Sequence, residues 1–173
     1  MDLEYKDAAR LCLDLFSMRK AIQAAIDKNR HKLLRRQVAM LKKAVPDFNP
    51  QGDEFAQSVH EELPAVEVRW GRSNDTFVLE RPESWMASFK EALGLYKNVY
   101  GQKVYTIMVL RYGHRWGIDT VCKRQGITRQ AYYYYHKNLA SMLLLIAVQN
   151  GLIRVEKNHV QKGDELYDPK IKE

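Results

Sequence analysis

From Leu3 to Ala44 the chain contains neither glycine nor proline, and its apolar residues Ala8, Cys12, Leu15, Ile22, Ile26, Leu33 and Leu41 recur at helical spacing. With no residue to interrupt the backbone hydrogen bonds, the segment predicts one long helix, or two with a break near Asn29, stopping before Pro46. Such a helix carries more apolar surface than a solvated arm should expose, so it must pack on the rest of the chain or on a second copy. It is also strongly basic, with nine lysines and arginines against Asp27 alone between Arg19 and Lys43. Two readings of that run stay open: a phosphate-neutralising surface, or a solvated helix face.

The charge then reverses. Between Asp47 and Ser84 nine acids stand against three arginines, and the stretch from Val45 to Pro82 holds every proline but one. Acids mixed with turn residues define a connector over residues 46–82. Inside it "VEVRW" and "TFVLE" flank "GRSND", a pattern that suits a short β-hairpin or an extended loop. The expected organisation is therefore an all-α chain: a basic helical arm over 1–45, the acidic connector, a helical domain over 83–153, and a charge-balanced, mobile tail over 154–173.

The helical domain opens with Trp85, Phe89, Leu93, Tyr96 and Tyr100 at steps of three or four residues, an amphipathic helix that Gly101 should end. A short helix follows with Val104, Ile107 and Met108 inward, stopped by Gly113. The next stretch, "WGIDTVCKRQGITRQAYYYYHKNLASMLLL", poses the problem of four adjacent tyrosines, which on a helix point about 100° apart and cannot share one environment. A helix-turn-helix resolves it. Cys122 is the small buried residue of the first helix, Gly126 takes the turn, Ile127 plugs the core and Thr128 caps the second helix. Ala131, Tyr132, Tyr135 and Leu139 then face inward, while Thr128, Arg129, Gln130, Tyr133, Tyr134 and Lys137 face outward. Arg129 and Gln130 suit the edges of guanine and adenine; tyrosine hydroxyls and lysines suit phosphates. Lys123 and Arg124 on the first helix, and Arg115 just before it, extend the basic surface.

Other chemistries find little support. The sequence has no phosphate-cradling glycine loop, dinucleotide fingerprint or serine-hydrolase elbow, and its two cysteines and five histidines are scattered outside metal-ligand spacings. No catalytic residue, metal or cofactor is expected. The longest apolar run, Met142 to Val148, is far short of the roughly 20 residues that span a bilayer, and "MDLEYKDAAR" lacks a secretory signal's apolar core, which points to a cytoplasmic protein.

The segments "FKEALGLY" and "VLRYG", followed by this helix-turn-helix, resemble the fourth conserved region of bacterial sigma factors over about Phe89 to Leu145. A domain of that kind behind a basic helical arm is also similar to phage and mobile-element late-gene activators of the RinA and ArpU type. The resemblance implies a transcription regulator that binds double-stranded DNA through Thr128 to Lys137 and meets RNA polymerase or a second protomer through its helical faces. No segment resembles the promoter-melting second region of sigma factors. The alternative is a DNA-packaging recognition subunit of the small terminase type, in which the motif usually lies near the N-terminus. A dimer is expected, with the N-terminal helix and the Met142 to Val148 run as candidate seams, the latter weighed against closure of the domain's own core.

Overall fold

The computed structural model describes residues 2–45, 63–69 and 75–155. Among them are five α-helices and a two-stranded antiparallel sheet, as the all-α reading with a hairpin expects. The chain starts in a two-residue strand, β1 (Asp2–Leu3), and continues through α1 (Tyr5–Ser17) and α2 (Arg19–Ala44). The hairpin strands β2 (Ala65–Arg69) and β3 (Thr76–Glu80) pair in register from Ala65 opposite Glu80 to Arg69 opposite Thr76. Val66, Val68 and Leu79 are buried while Glu67 and Val78 face out, the alternation of a half-buried sheet. The chain there is a strand pair against α2 rather than an extended loop.

Next come α3 (Pro82–Met108), a single π-helical turn (Val109–Gly113), α4 (Ile118–Gln125), α5 (Arg129–Gln149) and β4 (Arg154–Val155). Gly101 breaks α3 as the sequence predicts. Its φ of 80° and ψ of 171° interrupt an otherwise continuous helix, with Val104, Ile107 and Met108 buried beyond it.

The N-terminal segment does divide in two, but at Met18 rather than near Asn29. The cause is tertiary. Phe16 is buried edge-on against Phe89 and Tyr112, and Arg19 donates to the carbonyls of Phe16 and Tyr112 while its guanidinium lies 4.4 Å from the centre of the Phe16 ring. Met18 leaves helical geometry, with φ −95° and ψ 3°, to let the chain turn this corner. At Asn29 the amide nitrogen instead donates to the carbonyl of Ala25 within an unbroken helix.

Among the described residues one buried cluster joins Ala8, Cys12, Leu15 and Phe16 from α1, Ile22 and Ile26 from α2, Val66 and Val68 from the hairpin, Trp85, Phe89 and Tyr96 from α3, and Leu139, Leu143 and Ile146 from α5. Ala8, Cys12, Leu15, Ile22 and Ile26 of the N-terminal apolar stripe thus find their partner within the chain, while Leu33 is exposed and Leu41 half-buried. Burial pushes the Cys12 thiol up to about 12, which leaves it protonated and unreactive at neutral pH. Of the Met142 to Val148 run, Leu143, Leu144, Ile146 and Ala147 close this core, and Leu145 and Val148 remain exposed. Arg154 and Val155, assigned to the tail by sequence, pair in parallel with Asp2 and Leu3, a contact between the two ends that no local pattern announces. The tail beyond Val155, and most of the connector, lie outside the described residues.

Candidate nucleic-acid interface

The helix-turn-helix forms as its local signals require. α4 ends at Gly126, whose φ of 60° and ψ of 45° are left-handed, and the next amide, Ile127, donates back to Cys122 at 3.1 Å. Thr128 is extended, with φ −76° and ψ 158°, and its Oγ1 accepts from the amide of Ala131 at 3.1 Å, capping α5. An added Cβ at Gly126 would meet no heavy atom within 4 Å. Gly126→Ala should therefore reveal the backbone term alone, a loss of about 1 kcal/mol on chemical denaturation. No measurable loss would mean that the turn relaxes out of the left-handed region.

The four tyrosines separate as the helix-turn-helix reading requires. Tyr132 is 1% exposed, Tyr135 is half-buried, and Tyr133 and Tyr134 are 54% and 61% exposed. Tyr135 differs from its expected place in one respect: its ring lies at the edge of the core, and its tertiary hydrogen bond is made by its carbonyl, which accepts from Tyr96 Oη at 2.9 Å. Exposed with Tyr133 and Tyr134 are Thr128, Arg129, Gln130 and Lys137. Gln130, Tyr133, Tyr134 and Lys137 follow one helical stripe.

Lys123 and Arg124 are exposed on α4, and the Arg124 guanidinium lies 4.6 Å from the centre of the Trp116 ring. Arg115 is also exposed and adopts φ 58°, a left-handed conformation unusual for a residue with a Cβ. Its loop is held on several sides. Arg111 Nη1 donates to the Trp116 carbonyl at 3.0 Å, Arg19 to the Tyr112 carbonyl and Lys20 to the Gly113 carbonyl, each at 3.2 Å. The first two cations of the N-terminal basic run thus serve as a clamp on the helix-turn-helix, and Arg30 is consumed by an ion pair with Glu83. Lys28, Lys32, Arg35, Arg36, Lys42 and Lys43 stay exposed along α2.

Two participants escape the sequence reading. Trp116 is the platform under Arg124. Asp119 binds Arg129 with both oxygens: Nε donates to Oδ1 and Nη2 to Oδ2, each at 2.7 Å. The ten-residue separation matches no intrahelical spacing, and only the turn at Gly126 brings the two first turns together.

On the inner side of α5, His136 stacks on Tyr112 and tilts against Tyr132. Burial, followed by the Arg111 charge, holds its imidazole below the ordinary 6.5. As pH falls below 6.5 the unfolded chain takes up a proton that the folded state resists, so stability present above that value is lost toward lower pH. The melting temperature should fall between pH 7.5 and 5.5, and His136→Phe should flatten that limb. An identical pH dependence in the variant would remove His136 as its source.

Among the described residues no cluster of three or more histidine, cysteine, aspartate or glutamate side chains could hold a metal ion, and no helix is long and apolar enough to cross a membrane. Comparison with protein families, curated proteins and solved structures finds no match for this chain.

Proposed function

We propose that this protein is a sequence-specific double-stranded-DNA-binding regulator of transcription, a phage-type activator whose helix-turn-helix resembles that of sigma region 4. It acts by binding rather than catalysis, in the cytoplasm of its bacterial host. The observation that carries the reading is the outward face of α5. Gln130, Tyr133, Tyr134 and Lys137 are exposed at the start of a capped helix, and Arg129 is exposed beside them, paired with Asp119 of α4. A helix presented in this way fits the major groove, with its first turn at the base edges and its later cations at the backbone. Arg115, Lys123 and Arg124 supply further phosphate contacts.

The direct test is titration of the protein against a duplex selected from a random-sequence pool and against random DNA. Arg129→Ala or Gln130→Ala should weaken the selected duplex by roughly tenfold or more and random DNA much less. Equal affinity of parent and Arg129→Ala for the selected duplex would refute the assigned register.

A single helix-turn-helix reads few base pairs, so we propose that two copies pair and that exposed helical surface also meets RNA polymerase. Leu33 and Met40 on α2 and Leu145 and Val148 on α5 are exposed apolar residues available for this. Sedimentation should show a dimer. A monomer both free and on DNA would end the pairing idea, and a ring of many subunits would favour the packaging role.

A further inference from the structure

Asp119 is the only acid among the cations from Arg111 to Lys137. It sits in the first turn of α4, exposed, and holds the exposed Arg129 with both carboxylate oxygens. An ion pair between two solvated side chains contributes little to folding, so stability gives no reason for the arrangement. On a surface that faces phosphates a lone carboxylate would repel the ligand, and pairing cancels that charge. Guanidinium geometry supplies the rest. Arginine has five N–H donors in a rigid plane; the Nε–H and one Nη2–H go to Asp119, which leaves the two Nη1 hydrogens and the second Nη2 hydrogen. The free Nη1/Nη2 edge is a parallel pair of donors, the arrangement that guanine O6 and N7 accept.

We propose that Asp119 is a positioning residue for base reading: it fixes the Arg129 guanidinium by one edge so that the other edge is presented, pre-oriented, to a guanine in the major groove. The proposal rests on the DNA-binding reading above and assigns to it a specificity element on the helix preceding the recognition helix. Without Asp119, Arg129 remains charged and keeps its attraction to DNA. It must instead be ordered when it binds, and ordering a flexible side chain costs roughly 0.5–1.5 kcal/mol, which is about a 2- to 12-fold loss in affinity for the guanine-containing site.

The test is a double-mutant cycle on the full chain, using the ratio of affinities for the selected duplex and for random DNA. The ratio cancels the general gain that any protein shows on losing a negative charge. Asp119→Ala should lower the ratio about 2- to 12-fold, Asp119→Asn should lower it less because the amide oxygen still accepts one N–H, and melting temperatures should stay near that of the parent. In the Arg129→Ala background, Asp119→Ala should change nothing. A ratio that rises in Asp119→Ala would show that Asp119 withholds Arg129 from DNA and overturn the proposal, as would an unchanged ratio, while the DNA-binding reading stood. Effects of Asp119→Ala that persist without Arg129 would also overturn it. A parent protein that prefers no duplex, or an Arg129→Ala variant with the parent's ratio, would instead bring down the underlying reading and this proposal together.

Discussion

Tyr132→Ala should destabilise the protein by about 3–5 kcal/mol in denaturant titrations, the range for deleting a large buried aromatic ring. Tyr132 is among the largest fully buried side chains, with the His136 ring beside it. A loss of that size approaches the whole stability of an ordinary domain, so DNA binding should go with it. Tyr134→Ala, two positions along, should stay within about 0.5 kcal/mol of the parent and lose affinity for DNA alone. Tyr135→Ala should fall between them. Its ring is half-buried, and the hydrogen bond from Tyr96 ends on a main-chain oxygen that survives the substitution. Should Tyr132→Ala and Tyr134→Ala destabilise equally, the facing of α5 is wrong and the interface built on it fails.

Replacing Arg115, Lys123, Arg124 and Lys137 together with glutamine should flatten the salt dependence of DNA binding while leaving the fold intact, since all four are exposed. Each phosphate contact contributes about 0.9 to the slope of log affinity against log salt, so four lost contacts should reduce it by between three and four. Random DNA and the selected duplex should be affected alike, in contrast to Arg129→Ala. A slope equal to the parent's would mean that these cations do not meet the backbone.

Features encoded within a few residues were legible before the structure. Gly126, Ile127 and Thr128 specify a turn and a cap whatever surrounds them, and the burial of Tyr132 beside the exposure of Tyr133 follows from helical pitch once the cap is placed. The hairpin was legible only as one of two possibilities, because alternation over five residues does not reveal whether a helix such as α2 is there to cover one face. Features made by contacts across the chain were not legible. The break at Met18 follows from Phe16 entering a pocket formed by Phe89 and Tyr112, and no residue near Met18 is a helix breaker. Asp119 and Arg129 meet only after Gly126 has reversed the chain. Arg19 and Lys20 stayed open between phosphate ligands and a solvated helix face, because charge counts cannot show that carbonyls more than 90 residues away will claim them.

The partnership of α1 with α5 sets a constraint on the order of folding during synthesis. Tyr5 bonds to Ser141, 136 residues later, and Asp2 pairs with Arg154. On a ribosome adding roughly 5–20 residues per second, α1 emerges about 7 to 27 seconds before the stretch of chain it must pack against. Throughout that interval the buried face of α1 lacks the cover that α5 provides, although Phe16 can already meet Phe89 and Tyr112. A helix made well before its partner is thus docked late, and it must reach that point without its apolar face adhering to a neighbouring chain.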